Sequence, residues 1–84
     1  MFANSVAVRS SSSTCRVLGI DPGLTRCGFA VVDGRGGRST VAIALGVITT
    51  PKTDPLPARL AVLRTEFTNL IAEYRPQVVA VEQV

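Results

Sequence analysis

The sequence predicts an α/β domain built on a mixed sheet, with elements in the order β-β-β-α-β. Three observations carry this. Three apolar, β-prone runs (16–20, 27–33 and 39–50) follow one another across short turn-rich links. A stretch with 3.6-residue apolar spacing then occupies residues 60–74. A fourth apolar run, Val78-Val79-Ala80-Val81, comes after it. Short links join antiparallel neighbours, whereas a helix between two strands returns the chain as a parallel strand.

The first strand is expected over Arg16-Val17-Leu18-Gly19-Ile20, a short run of the kind that is buried in a sheet. It is punctuated by Asp21-Pro22-Gly23. Proline biases the residue before it toward extended backbone, which leaves Asp21 at the strand's last position. The second strand is expected over Cys27–Asp33, giving out into the glycine-rich, basic connector Gly34-Arg35-Gly36-Gly37-Arg38. The third lies in STVAIALGVITT (39–50), where Val41, Ile43 and Leu45 alternate with alanines. Gly46 marks a bulge or a close contact there.

Pro51 to Pro57 is a proline-rich connector, with Asp54 as candidate helix cap and Pro55 in the first turn. Leu60, Leu63, Phe67, Leu70, Ile71 and Tyr74 then recur at helical spacing. Arg59, Arg64, Glu66 and Glu73 fall between them, giving an amphipathic helix of about five turns. Arg75-Pro76 ends it, and Gln77–Glu82 forms the fourth strand.

The two acidic residues that close apolar runs are the candidate chemistry. Asp21 ends the first strand and Glu82 the fourth. If those strands are parallel neighbours, both carboxylates lie at one edge of the sheet, where open α/β sheets hold their ligands. Like charges placed together raise a pKa or demand a cation. Magnesium or manganese answers that demand with a preference for hard oxygen ligands, and can activate water for phosphodiester hydrolysis. Taken singly, each residue has a plainer reading. Aspartate before Pro-Gly is a common turn residue, and Glu82 can be a solvated strand end. Two carboxylates also make a sparse ligand set.

Net charge is +3, and the segment 16–50 contributes most of it through four arginines against two aspartates. Arg26, Arg35 and Arg38 are the candidate contacts for a nucleic-acid backbone, though arginines among glycines also serve as a solvated loop. The glycines match neither GxGxxG nor GxxxxGK[ST], which disfavours those nucleotide loops. Cys15 and Cys27 form no CxxC pair, and the chain has no histidine. This argues against a zinc site, against a disulfide framework and against a cysteine nucleophile, and points to a reducing compartment. No apolar stretch nears the roughly 20 residues that span a bilayer. Val6-Ala7-Val8 is too short for a signal-peptide core of about 7–15 residues. Residues 1–15 are therefore expected to be a disordered extension, and residues 16–84 the folded part.

The segments GIDPG (19–23), TRCGFAVVD (25–33), DPLPARL (54–60) and VAVEQV (79–84) resemble, in order and spacing, the RuvC family of crossover junction endodeoxyribonucleases. The resemblance covers residues 16–84. It implies a ribonuclease H-like fold with a five-stranded mixed sheet, of which this chain would be the N-terminal part with the C-terminal half missing. It implies a cytoplasmic, magnesium-dependent enzyme (with manganese as a substitute) that resolves Holliday junctions in recombination and repair. Its partners would be four-way junction DNA, a second copy in a homodimer and a branch-migration helicase complex. Of the family's four acidic positions, the resemblance assigns two here, Asp21 and Glu82, as catalytic and metal-binding. The others would lie beyond residue 84, so little or no cleavage is expected of these 84 residues alone. Two further readings remain open from sequence: a related ribonuclease H-like RNA-processing nuclease, and a non-catalytic nucleic-acid-binding remnant. Actin-like and sugar-kinase ATPases also begin with an acidic residue after a strand. They carry a Thr- or Gly-rich phosphate loop, however, where this chain has Pro22-Gly23-Leu24.

Overall fold

The computed structural model describes residues 14–35 and 39–82. The expected extension over residues 1–15 lies almost wholly outside them, as does Arg38. The element order is β1 (Cys15–Asp21), β2 (Arg26–Gly34), β3 (Thr40–Thr49), α1 (Leu56–Tyr74) and β4 (Val78–Val81). They form one four-stranded sheet in the order β3-β2-β1-β4. β1 pairs antiparallel with β2, β2 antiparallel with β3, and β1 parallel with β4. This is the mixed β-β-β-α-β sheet that the periodicities predict.

Because side chains alternate across a strand, the register sorts the residues into two faces. Leu18 pairs with Val31, Ile20 with Phe29, and Cys27 with Ile48. These face α1, whose Leu60, Leu63 and Phe67 share a groove with Ile20 and Cys27. Leu18 and Val31 are fully buried, with Cys27 and Ile48 close behind. The opposite face carries Gly19, Gly28 and Ala30, flanked by Leu45 and Val47. It is small at its centre and apolar at its rim, and Leu45 is 74% exposed.

Two expectations about β3 resolve separately. The irregularity in its pairing falls between Val31 and Val32, where the partners jump from Ala44 to Ala42 and leave Ile43 as the extra residue. Gly46 is the close contact instead. It stands opposite Phe29, and a Cβ there would sit 2.6 Å from the ring. The phenyl ring thus lies against bare backbone, which only glycine permits.

The helix start differs from expectation. Pro55 occupies the N-cap position in extended conformation, with no side-chain cap hydrogen bond. Asp54 instead closes a turn, its N–H donating to the Pro51 carbonyl at 3.1 Å. Pro55 and Pro57 supply the start by fixing φ, with Pro57 inside the first turn where its missing N–H has no partner to lose. The helix ends at Arg75, which adopts a left-handed φ of 50° and donates its N–H to the Ile71 carbonyl. Pro76 prevents continuation.

Half-buried positions along α1 are Arg59, Leu63, Phe67, Leu70 and Tyr74. The inward row therefore begins with an arginine, whereas the sequence pattern put Arg59 among the outward polar residues. Cys15 and Cys27 are free thiols. No helix among the described residues is long and apolar enough to cross a membrane.

Candidate metal centre

Parallel pairing of β1 with β4 runs from Val17 opposite Val78 to Ile20 opposite Val81. One step further in the same register sets Glu82 beside Asp21, and the Glu82 N–H donates to the Ile20 carbonyl at 2.9 Å. The adjacency assumed from sequence is therefore present. By the alternation of β1, both carboxylates stand on the sheet face opposite α1. Asp21 borders the shallow depression over Gly19, Gly28 and Ala30. A Cβ at Gly28 would lie 3.6 Å from that of Asp21, an ordinary contact distance, so the carboxylate stands over uncrowded backbone.

The two carboxyl groups are within hydrogen-bonding reach of each other. Two carboxylates can form such a bond only by sharing a proton. Asp21 accordingly has its pKa raised. The largest cause is its hydrogen bond with Glu82, followed by the Glu82 charge and partial desolvation. A proton can occupy the space between the oxygens, and a divalent cation can take its place where both carboxyls are ionised. The donor set fits a hard cation such as magnesium: all oxygen, doubly anionic, and open on one side to water. It is partial, since among the described residues no cluster of three or more His, Cys, Asp or Glu side chains forms.

The turn that follows Asp21 is held by a network the sequence did not disclose. Thr50 is buried, and its hydroxyl donates to the Leu24 carbonyl at 2.6 Å. Its N–H donates to the Thr25 carbonyl at 3.0 Å. Arg59 reaches in from α1, its Nε donating to the Thr50 hydroxyl at 3.0 Å and its Nη2 to the Thr25 hydroxyl at 2.9 Å. Thr25 is half-buried for this reason. Gly23 is required in the same turn, because a Cβ there would meet the Arg26 carbonyl oxygen at 2.2 Å. The only sequence signal for Arg59 was its spacing, four residues before Leu63 and eight before Phe67.

The candidate backbone contacts separate. Arg26 is exposed and opens β2 at the same end of the sheet as Asp21, which pairs with Gly28. Arg35 follows Gly34, the partner of Cys15 at the other end of β1. At about 3.3 Å per residue the two ends of that strand lie roughly 20 Å apart. Arg35 is therefore remote from the carboxylates. Its N–H donates to the Ser39 carbonyl at 3.0 Å, across the neck of the β2–β3 hairpin.

A second network occupies that far end. Arg16 binds Asp33 through two parallel hydrogen bonds, Nε to Oδ1 at 2.7 Å and Nη2 to Oδ2 at 2.9 Å. The Arg16 Nη1 donates to the Tyr74 carbonyl at 3.1 Å. Hydrogen bonding from Arg16 holds Asp33 below the usual carboxylate range, against a smaller opposing effect of its burial.

Comparison with known proteins places these features in a wider set. Residues 17–84 match the family described as crossover junction endodeoxyribonuclease RuvC. A relative of that description from Salinispora arenicola is 56% identical over 69 residues, covering 82% of this chain and 39% of its own length. One from Rhodococcus jostii is 52% identical, again over 82% of this chain and over 36% of its own. The chain thus spans about two fifths of the length of the curated relatives it matches. Among solved structures, a Thermus thermophilus RuvC in complex with a Holliday junction substrate superposes with a TM-score of 0.78 at 30% identity. It covers 82% of this chain and 42% of that one. A second Thermus thermophilus RuvC structure gives 0.75 at 31% identity, over 82% and 43%.

Proposed function

The chain belongs to the crossover junction endodeoxyribonuclease RuvC family, and on that premise we propose that it supplies the first half of the catalytic site of a Holliday junction resolvase. The reaction is hydrolysis of DNA phosphodiesters at four-way junctions. Asp21 and Glu82 hold magnesium, or manganese in its place. The observation that carries the proposal is the contact of these two carboxyls across 61 residues of chain, on the open face of the sheet.

When bound, the metal supplies Lewis-acid charge and lowers the pKa of coordinated water. The chain's own part is to present two oxygen donors at fixed spacing. Backbone pairing orients Glu82, and the Thr50–Arg59 network holds the turn that leaves Asp21. Arg26, exposed at the same end, would meet a phosphate of the bound strand. The remaining ligands and much of the surface for a homodimer and for DNA would come from the length found in the relatives outside the matched region, and a branch-migration helicase complex would be a further partner. Free Cys15 and Cys27 suit a reducing, cytoplasmic setting.

The test is a chimera in which residues 17–84 replace the matching segment of the Salinispora arenicola relative. With magnesium it is expected to nick a synthetic four-way junction symmetrically. Asp21→Asn or Glu82→Gln should lower the rate by about 10²-fold or more, the scale on which loss of one electrostatic catalytic group is felt. The 84-residue chain by itself should cut little or not at all. A chimera that leaves junctions intact, or cuts RNA in their place, would sink the reading.

A further inference from the structure

We propose that Arg16 and Gln77 are positioning residues for the carboxylate pair: with Asp33 they fix the register in which β4 joins β1, and thereby the face from which Glu82 meets Asp21. The inference builds on the metal-site reading of that pair.

Register in a sheet is normally set by a polar and an apolar face, since a slip of one residue exchanges them. β4 offers no such pattern. Its sequence is Val78-Val79-Ala80-Val81, apolar on both faces. Only Ala80 is buried, while Val79 and Val81 remain 45% and 43% exposed. A one-residue slip would bring a valine to the place of Ala80 and still leave an apolar side chain at every position of the strand. Hydrophobic burial therefore selects the observed pairing weakly.

A polar lock stands where the chain enters the strand. The Arg16 N–H donates to Gln77 Oε1 at 2.6 Å, and the Gln77 N–H donates to the Arg16 carbonyl at 2.8 Å. These two bonds form a closed ring between residues 61 apart, which a shifted pairing cannot reproduce. The Arg16 side chain anchors the ring on both sides. It binds Asp33 on β2 through two bonds, and the carbonyl of Tyr74, the last residue of α1. Two residues, Arg75 and Pro76, then separate that carbonyl from Gln77, so little slack remains to take up a slip.

The geometry at the other end sets the stakes. A slip of one residue would turn Glu82 to the α1 side of the sheet. A slip of two would keep the face but move the carboxyl by about 7 Å along the strand. Hydrogen-bonding reach is about 3 Å, so either slip separates the pair.

The experiment is heteronuclear NMR on the isotopically labelled 84-residue chain, its Gln77→Ala, Gln77→Glu and Arg16→Met variants, and a Leu70→Ala control that loosens the helix contact alone. In Gln77→Ala and Arg16→Met, exchange of the Glu82 amide should accelerate at least tenfold relative to that of Leu18. A second set of β1–β4 cross-strand contacts, displaced by one or two residues, should also appear. Gln77→Glu retains an acceptor oxygen and should restore the single native pairing. Leu70→Ala should lower the melting temperature without either effect. Native pairing and unchanged Glu82 protection in Gln77→Ala would overturn the proposal, and this variant decides the matter even if Arg16→Met does not fold. Manganese-induced line broadening is the separate arm. If it fails to centre on Asp21 and Glu82 in the unaltered chain, the metal-site reading falls, while the pairing data still decide the register.

Discussion

Asp21 keeps its proton to a higher pH than an ordinary aspartate because Glu82 accepts a hydrogen bond from it and repels its ionised form. The consequence for stability has a definite sign. A carboxyl whose folded pKa is raised contributes stability that is full below its unfolded value, near 3.9. That contribution is lost as the pH rises through the folded value. At neutral pH the pair is therefore a site of repulsion, which Asp21→Asn should relieve. Thermal unfolding at pH 7.5 should give a higher melting temperature for Asp21→Asn than for the unaltered chain. Magnesium should raise the melting temperature of the unaltered chain and leave that of the variant nearly unchanged. Asp33 behaves in the opposite sense. Arg16 lowers its pKa, so its contribution is present above the unfolded value and is lost as the pH falls through the folded one. Asp33→Asn should melt lower than the parent at pH 7, and the gap should narrow in strong acid. A gap independent of pH would mean that packing at Asp33, and not its charge, supports the fold. Both carboxylates at the open end were legible in the sequence as residues that close apolar runs, and the pairing of β1 with β4 is what sets them side by side. Asp33 was legible only as a strand residue, because its partner lies 17 positions earlier, on the neighbouring strand.

At the scale of the element, the helix combines what periodicity reveals with what it hides. Spacing identified its length and its apolar stripe, and Arg75-Pro76 its end. The stripe is nevertheless only half-buried, with Leu60 and Ile71 about half exposed. Its inward row opens with Arg59, whose charge disguised a buried purpose. Long side chains can lay their stems on an apolar surface while the head group finds partners, and a hydropathy pattern does not register this. Asp54 illustrates the converse error. It is the residue type that caps helices, but the prolines on either side direct it into a turn. Thr50 is the central member of the Arg59 network, linking β3, the Asp21 turn and α1. Replacing it with valine conserves shape but strands the Leu24 carbonyl and the Arg59 Nε. The expected loss is about 1–3 kcal/mol, the usual cost of leaving buried polar groups without partners, measurable by urea unfolding. A loss below about 0.5 kcal/mol would mean that water replaces the hydroxyl.

For the molecule as a whole, the two sheet faces differ in what they tolerate. On the α1 side, Leu18 is wholly enclosed, and Leu18→Ala should cost about 3 kcal/mol through lost burial and a residual cavity. On the other side, Leu45 is three-quarters exposed, and Leu45→Lys should change stability by less than about 0.5 kcal/mol. Denaturant titrations of the two variants against the parent check the contrast; equal costs would mean that the second face is covered in solution. The antiparallel run of β1, β2 and β3 was derivable from the short links, whereas the place of β4 beside β1 was an assumption from sequence that the pairing bears out. The difference between the faces was not derivable, because Val41, Ile43, Leu45 and Val47 are as apolar as the enclosed residues and only the pairing shows them at an edge.

The pairing of β1 with β4 also bears on the order of events in folding. β1, β2 and β3 meet through local hairpins, and closing such short loops takes microseconds. Asp21 and Glu82 come together only when a loop of about 60 residues closes, after the helix between them has formed or as it docks. The chain would then carry a preformed hairpin sheet with the edge of β1 still vacant, and its cation site would be among the last features to appear. Metal binding should accordingly slow unfolding more than it hastens folding, because the pair it bridges is absent from the early structure.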